Sequence, residues 1–113
     1  MKPKVYGIRN CDTMKKAFAW LDARRIAYEF HDYKKAGVPP GKLKDWAAQT
    51  GWEKLANTRG PTWRKIPDGQ KTNIEKALEA NSSAIRRPIV ETGETLLVGF
   101  DPEEFSRALR RAP

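Results

Sequence analysis

In the stretch Val5-Tyr6-Gly7-Ile8-Arg9-Asn10-Cys11-Asp12-Thr13-Met14-Lys15-Lys16-Ala17-Phe18-Ala19-Trp20-Leu21, a short run of β-forming residues gives way to a polar turn and then to an amphipathic helix. Met14, Ala17, Phe18 and Leu21 recur at i, i+3, i+4 and i+7, which is one helical face, while Lys15, Lys16 and Asp22 point elsewhere. The single cysteine therefore sits where a strand hands over to a helix. The first turn of a helix presents unpaired backbone N–H groups and the positive end of the macrodipole, and both favour a thiolate over a thiol. A lone cysteine is equally at home as inert packing. Its polar neighbours Asn10 and Asp12 make this an unusual place for a core residue.

Downstream, Ile26-Ala27-Tyr28-Glu29-Phe30-His31-Asp32-Tyr33 alternates, with Tyr28 and Phe30 on one face and Glu29 and His31 on the other, and reads as a second strand. Strand, helix and strand with short connections form a βαβ unit, so the strands are expected to be parallel with a right-handed crossover. Lys34 to Gly41 reads as a loop by its Gly and Pro content. Leu43, Trp46 and Ala47 then mark a helix stopped by Gly51, and Trp52 to Leu55 a further single turn. Asn57-Thr58-Arg59-Gly60-Pro61 breaks the pattern, and Thr62 to Ile66 is too short to classify. Ile74, Ala77 and Leu78 mark another helix, ending near Asn81-Ser82-Ser83.

The tail is well defined. Pro88-Ile89-Val90-Glu91, the turn Thr92-Gly93-Glu94 and Thr95-Leu96-Leu97-Val98 read as an antiparallel hairpin. Asp101 is placed as an N-cap, with Pro102 at the first helical position and Glu104 completing a capping box; Phe105, Ala108 and Leu109 form the apolar face, and Arg110-Arg111 suits the helix end. The summed order is β-α-β, a mostly helical middle, then β-β-α. It specifies an α/β protein with a mixed four-stranded sheet in a thioredoxin-like arrangement with a helical insertion.

Length and composition set the functional limits. The 113 residues fit one domain, 1–113, with the insertion at about 38–83. No apolar run reaches membrane-spanning length and no secretory leader is evident, so a cytoplasmic protein is expected. One cysteine cannot form an internal disulfide, so disulfide chemistry must draw on another molecule's sulfur; one histidine argues against a zinc tetrad, and no metal is expected. The formal net charge of +8 invites anions, but it is spread in pairs such as Arg24-Arg25, Lys34-Lys35 and Arg86-Arg87, and no nucleic-acid-reading motif accompanies it.

The segments Tyr6-Gly7-Ile8, Asn10-Cys11-Asp12-Thr13, Lys15-Lys16-Ala17, Trp20-Leu21, Asn57-Thr58-Arg59-Gly60, Thr62-Trp63-Arg64-Lys65, Arg87-Pro88-Ile89-Val90 and Val98-Gly99-Phe100 occur in this order along the chain. Together they resemble the arsenate reductase (ArsC-like) family, in its branch of YffB-like and Spx-like proteins. The resemblance implies a thioredoxin-like fold with a helical insertion and a nucleophilic cysteine at Cys11, whose adduct or mixed disulfide is resolved by glutathione or a glutaredoxin. It also implies anion-binding arginines at Arg59 and Arg87 and a cis peptide bond between Arg87 and Pro88. On this reading Arg59 and Arg87 stabilise the thiolate and hold a carboxylate of glutathione, and Asn10 donates a hydrogen bond to the sulfur. Arg64 and Arg86 read as surface charges, and Trp46 and Trp63 as packing.

Two departures narrow the expectation. Classical arsenate reductases of the family carry a third arginine after the hairpin, where this chain has Val98-Gly99-Phe100, and Spx-like switches use Cys-x-x-Cys, where this chain has Met14. The expected activity is thus that of a glutathione-dependent thiol reductase acting on a disulfide or small-molecule substrate. The alternative is an Spx-like regulatory module that contacts a protein partner such as RNA polymerase without catalysis.

Overall fold

The structure, a computed structural model, describes residues 2–39, 41–93 and 95–109. Pro40, Glu94 and the Arg110-Arg111 pair of the sequence reading lie outside the described residues. Packing groups the described residues into two units, one formed by those up to Asp32 with those from Arg87 onward and the other by those within Tyr33–Arg86.

The first unit holds a four-stranded mixed sheet of β1 (Lys4–Gly7), β2 (Glu29–Asp32), β3 (Ile89–Thr92) and β4 (Thr95–Val98), in the order β2-β1-β3-β4. β1 runs parallel to β2 and antiparallel to β3, and β3 runs antiparallel to β4, as the βαβ and hairpin readings require. Helix α1 (Asp12–Ala23) is the crossover. Its Met14, Ala17, Trp20 and Leu21 are buried with Val5, Val90 and Leu97 of the sheet and with Phe105 of α7 (Pro102–Ala108). The Trp20 and Phe100 rings both meet Phe105 edge-on, at 5.5 and 4.9 Å between centroids.

The register explains why β2 is shorter than its alternating pattern. Lys4 faces Glu29, and the Glu29 N–H reaches back to the Pro3 carbonyl; upstream of Lys4 the partner strand is a proline, which has no N–H to continue the ladder. Residues 26–28 therefore do not pair with β1, and the Ile26 N–H turns back to the Leu21 carbonyl at 3.0 Å. Phe30 lies across from Val5 on the α1 face, whereas Tyr6 and His31 share the opposite face with rings 5.4 Å apart. On that face the Tyr6 hydroxyl donates to Glu91 at 2.8 Å. Asp101 caps α7 by accepting from the Glu103 N–H at 2.9 Å, but the expected box is only half formed: Glu104 makes no return bond.

The second unit is helical: α2 (Tyr33–Ala36), α3 (Lys42–Thr50), α4 (Trp52–Leu55), α5 (Pro61–Lys65) and α6 (Ile74–Ala80), with short 3-10 turns at Asp68–Gln70 and Ser82–Ala84. α2 occupies residues read as the end of a strand and a loop. Tyr33 turns inward there, is 1% exposed, and donates its hydroxyl to the Ile85 carbonyl at 3.0 Å, a tertiary contact that local composition does not announce. Pro61 opens α5 at its first position, where a missing N–H costs nothing. Trp46 is fully buried and Trp63 half-buried, with Lys71 over the latter's ring. Among the described residues no helix is long and apolar enough to cross a membrane.

Candidate active site

β1 ends at Gly7 and α1 begins at Asp12, so the four intervening residues, Ile8 to Cys11, turn the chain at the carboxyl end of a central strand. Cys11 is the N-cap of α1, extended at φ -140° and ψ 133°, with its own carbonyl accepting from the Lys15 N–H at 2.9 Å. The side chain is half-buried against the core cluster beneath α1. That placement follows from the periodicity: once Met14, Ala17 and Leu21 face the sheet, the residue one turn before them lies at the helix mouth.

Arg87 approaches the same sulfur from the β3 side, its Nε donating to Sγ at 3.3 Å. The arginine lies just before β3, at a cis bond to the buried Pro88, and the Pro88 carbonyl accepts from the Gly99 N–H at 2.8 Å. Burial alone pushes the Cys11 thiol up. The Arg87 hydrogen bond, the backbone N–H groups of Met14 and Thr13, and the Arg87 charge together outweigh it and hold the thiol below its ordinary value. The two N–H groups do not meet strict cap geometry with Sγ. They act on the sulfur as oriented dipoles at the positive helix end. The arrangement thus presents a partly exposed sulfur with a guanidinium beside it, which favours the thiolate form.

The other anticipated residues fall as follows. Asn10 is exposed, directly before Cys11, and makes no hydrogen bond to the sulfur. Arg59 is exposed in the second unit, in the turn before α5 that the Gly60 N–H closes onto the Asn57 carbonyl at 3.0 Å. Arg64 and Arg86 are exposed, and Arg86 Nε donates to the Lys54 carbonyl at 2.9 Å. In place of the third arginine, Val98 is 8% exposed and the Phe100 ring packs on Phe105. One residue near the site was not singled out from sequence: Arg9, whose guanidinium lies over the Phe30 ring at 5.2 Å. The available signal was a cation two positions before the cysteine.

Comparison with known proteins agrees with this fold. A solved structure of a protein named YFFB superimposes with a TM-score of 0.89 at 43% identity, covering 96% of this chain and 99% of the other. An arsenate reductase (ArsC) related protein from Brucella melitensis gives 0.72 at 38% identity, covering 98% and 97%. The global transcriptional regulator Spx of Streptococcus agalactiae is 25% identical over 90% of this chain and 79% of its own. The profile of the ArsC family matches residues 6–108, and with a thioredoxin-like fold and a cysteine at the mouth of the first helix, the chain belongs to the ArsC family.

Proposed function

We propose that the protein is a glutathione-dependent thiol reductase in which Cys11 is the nucleophile. The observation that carries this reading is the Arg87 Nε donor 3.3 Å from Cys11 Sγ at the head of α1, which favours the thiolate needed for attack. In the first step the Cys11 thiolate attacks one sulfur of a substrate disulfide; the Cys11–S bond forms, the substrate S–S bond breaks, and the departing thiolate takes a proton from water. In the second, a glutathione thiolate attacks the substrate-derived sulfur of the mixed disulfide, and Cys11 leaves as thiolate. A glutaredoxin can replace free glutathione in that step. Arg59 and Arg87 are assigned to carboxylates of the co-substrate, Asn10 to a hydrogen bond made when ligand is present, and Pro88 to shaping the backbone beside the sulfur.

The apolar packing of Val98 and Phe100 supports a disulfide over arsenate, because a small multiply charged oxyanion needs several converging cations to leave water. The cytoplasm, with its glutathione pool, is the compartment this chemistry requires. Mass spectrometry of wild type and Cys11→Ser after incubation with glutathione disulfide tests the assignment, alongside glutathione-coupled turnover with small disulfides and with arsenate. A glutathione adduct on wild type alone, with disulfide turnover, is expected; absence of both refutes it. The likeness to Spx regulators supports a second reading, a module that contacts a protein partner such as RNA polymerase, and its binding would survive Cys11→Ala.

A further inference from the structure

Arg87 reaches Cys11 from the β3 side of β1, and a second guanidinium stands on the β2 side. Arg9 is exposed and two residues from Cys11, a length of chain that spans at most about 7 Å between Cα atoms. Its Cζ lies 5.2 Å from the centroid of the Phe30 ring of β2. That ring is itself braced: Phe18 of α1 meets it edge-on at 5.1 Å and 89°, and stacks on Tyr28 at 5.5 Å and 15°. Arg9 is also within electrostatic reach of the Tyr28 hydroxyl, which burial and Asp22 push up and Arg9 draws back. Among the described residues no carboxylate or carbonyl engages the Arg9 guanidinium.

A guanidinium lying on an aromatic face keeps its planar fork of donors at the edge, and its orientation is restricted before any ligand arrives. Pairing it with a planar carboxylate then forfeits less side-chain freedom than pairing a free surface arginine. We propose that Arg9, positioned by Phe30, is a specificity-determining residue that reads a carboxylate on the thiol or disulfide reacting at Cys11. The inference deepens the thiol-reductase reading and rests on Cys11 as the nucleophile. Its ligand class is a thiol or disulfide with a carboxylate a few bonds from the sulfur; neutral disulfides gain nothing from the residue.

The test compares Cys11 reaction rates with two aromatic disulfides, the dianionic dithiobis(nitrobenzoate) and the neutral dithiodipyridine, in wild type, Arg9→Gln and Arg9→Lys. In each reaction the Cys11 thiolate attacks the probe, a Cys11–S–S–aryl bond forms, and one aryl thiolate leaves and is read by its absorbance. Arg9→Gln is expected to slow the anionic probe about three- to fivefold, the scale of one exposed ion pair, and to leave the neutral probe unchanged. Arg9→Lys, which keeps the charge and loses the planar fork, should fall between. Equal slowing of both probes would mean that Arg9 acts on the thiolate, and no slowing of either would mean that it acts on nothing at this site; each result overturns the proposal. Glutathione disulfide is run in parallel. If it leaves wild type unmodified, the glutathione assignment fails while the probe pair still reports on Arg9.

Discussion

Replacing Gly7 by alanine should disturb the site from beneath, because a Cβ built on Gly7 falls 2.5 Å from the Met14 sulfur and 2.6 Å from its methyl carbon. Ordinary contacts begin near 3.4 Å, so the thioether must retreat by about 1 Å. A methionine tail is flexible, but Met14 is 0% exposed and enclosed by Val5, Ala17, Leu21 and the rest of the α1 core, so it has no solvent to swing into. The expected cost is about 1–3 kcal/mol, the range for overpacking a filled core. For a domain of this size that lowers Tm by roughly 4–15 °C. Met14→Ala alone should cost about 2–5 kcal/mol through the cavity it leaves. The pair should cost less than the sum by about 1 kcal/mol or more, because the alanine methyl enters space that the thioether vacated. Urea denaturation of the four proteins closes the cycle. Additivity within about 0.5 kcal/mol, or a Gly7→Ala variant as stable as wild type, would refute the reasoning.

Arg87→Ala should raise the Cys11 pKa, followed by thiolate absorbance, and Arg87→Lys should restore part of the lowering through charge without the Nε geometry. Since folding lowers this pKa, the thiolate's contribution to stability is fully present above the unfolded thiol value of about 8.5 and is lost as pH falls through the lowered folded value. The stability difference between wild type and Cys11→Ser should therefore grow as pH rises across that window, and a difference that is flat or shrinks would contradict the assigned sign. Tyr33→Phe, which removes the buried 3.0 Å bond to the Ile85 carbonyl, should cost about 1 kcal/mol in urea titrations and leave Cys11 reactivity unchanged.

What could be read without coordinates was what depends on neighbours in the chain. The spacing of Met14, Ala17 and Leu21 set α1, and the Thr92-Gly93 turn between apolar runs set the β3–β4 hairpin, because both signals are written within a few residues. The Cys11–Arg87 contact joins residues 76 apart in sequence; no periodicity encodes it, and it was anticipated only through family resemblance. α2 escaped notice because its anchor, the Tyr33 hydroxyl, finds its acceptor 52 residues away. Arg9 escaped for a related reason. Its position before the cysteine is visible, but the Phe30 ring beneath it arrives only when β2 pairs with β1.

The lowered thiol pKa acts differently on the two steps of the proposed cycle. For attack on the substrate, lowering the pKa by one unit gains up to tenfold in thiolate fraction while the pH lies below it, but forfeits about 0.4–0.5 log units of intrinsic nucleophilicity. Once the thiol is fully ionised, further lowering slows attack. In the second step Cys11 is the leaving group, and a more stable thiolate leaves faster at every pH. A protein with a second cysteine in reach could expel the substrate intramolecularly; here the position three residues after Cys11 is Met14, buried and pressed against Gly7. Release of Cys11 must then be driven by a thiol from solution, and the mixed disulfide persists until that thiol arrives. Within the proposed cycle Arg87 and the α1 N–H groups therefore matter most in the second step, because they stabilise the sulfur that has to depart.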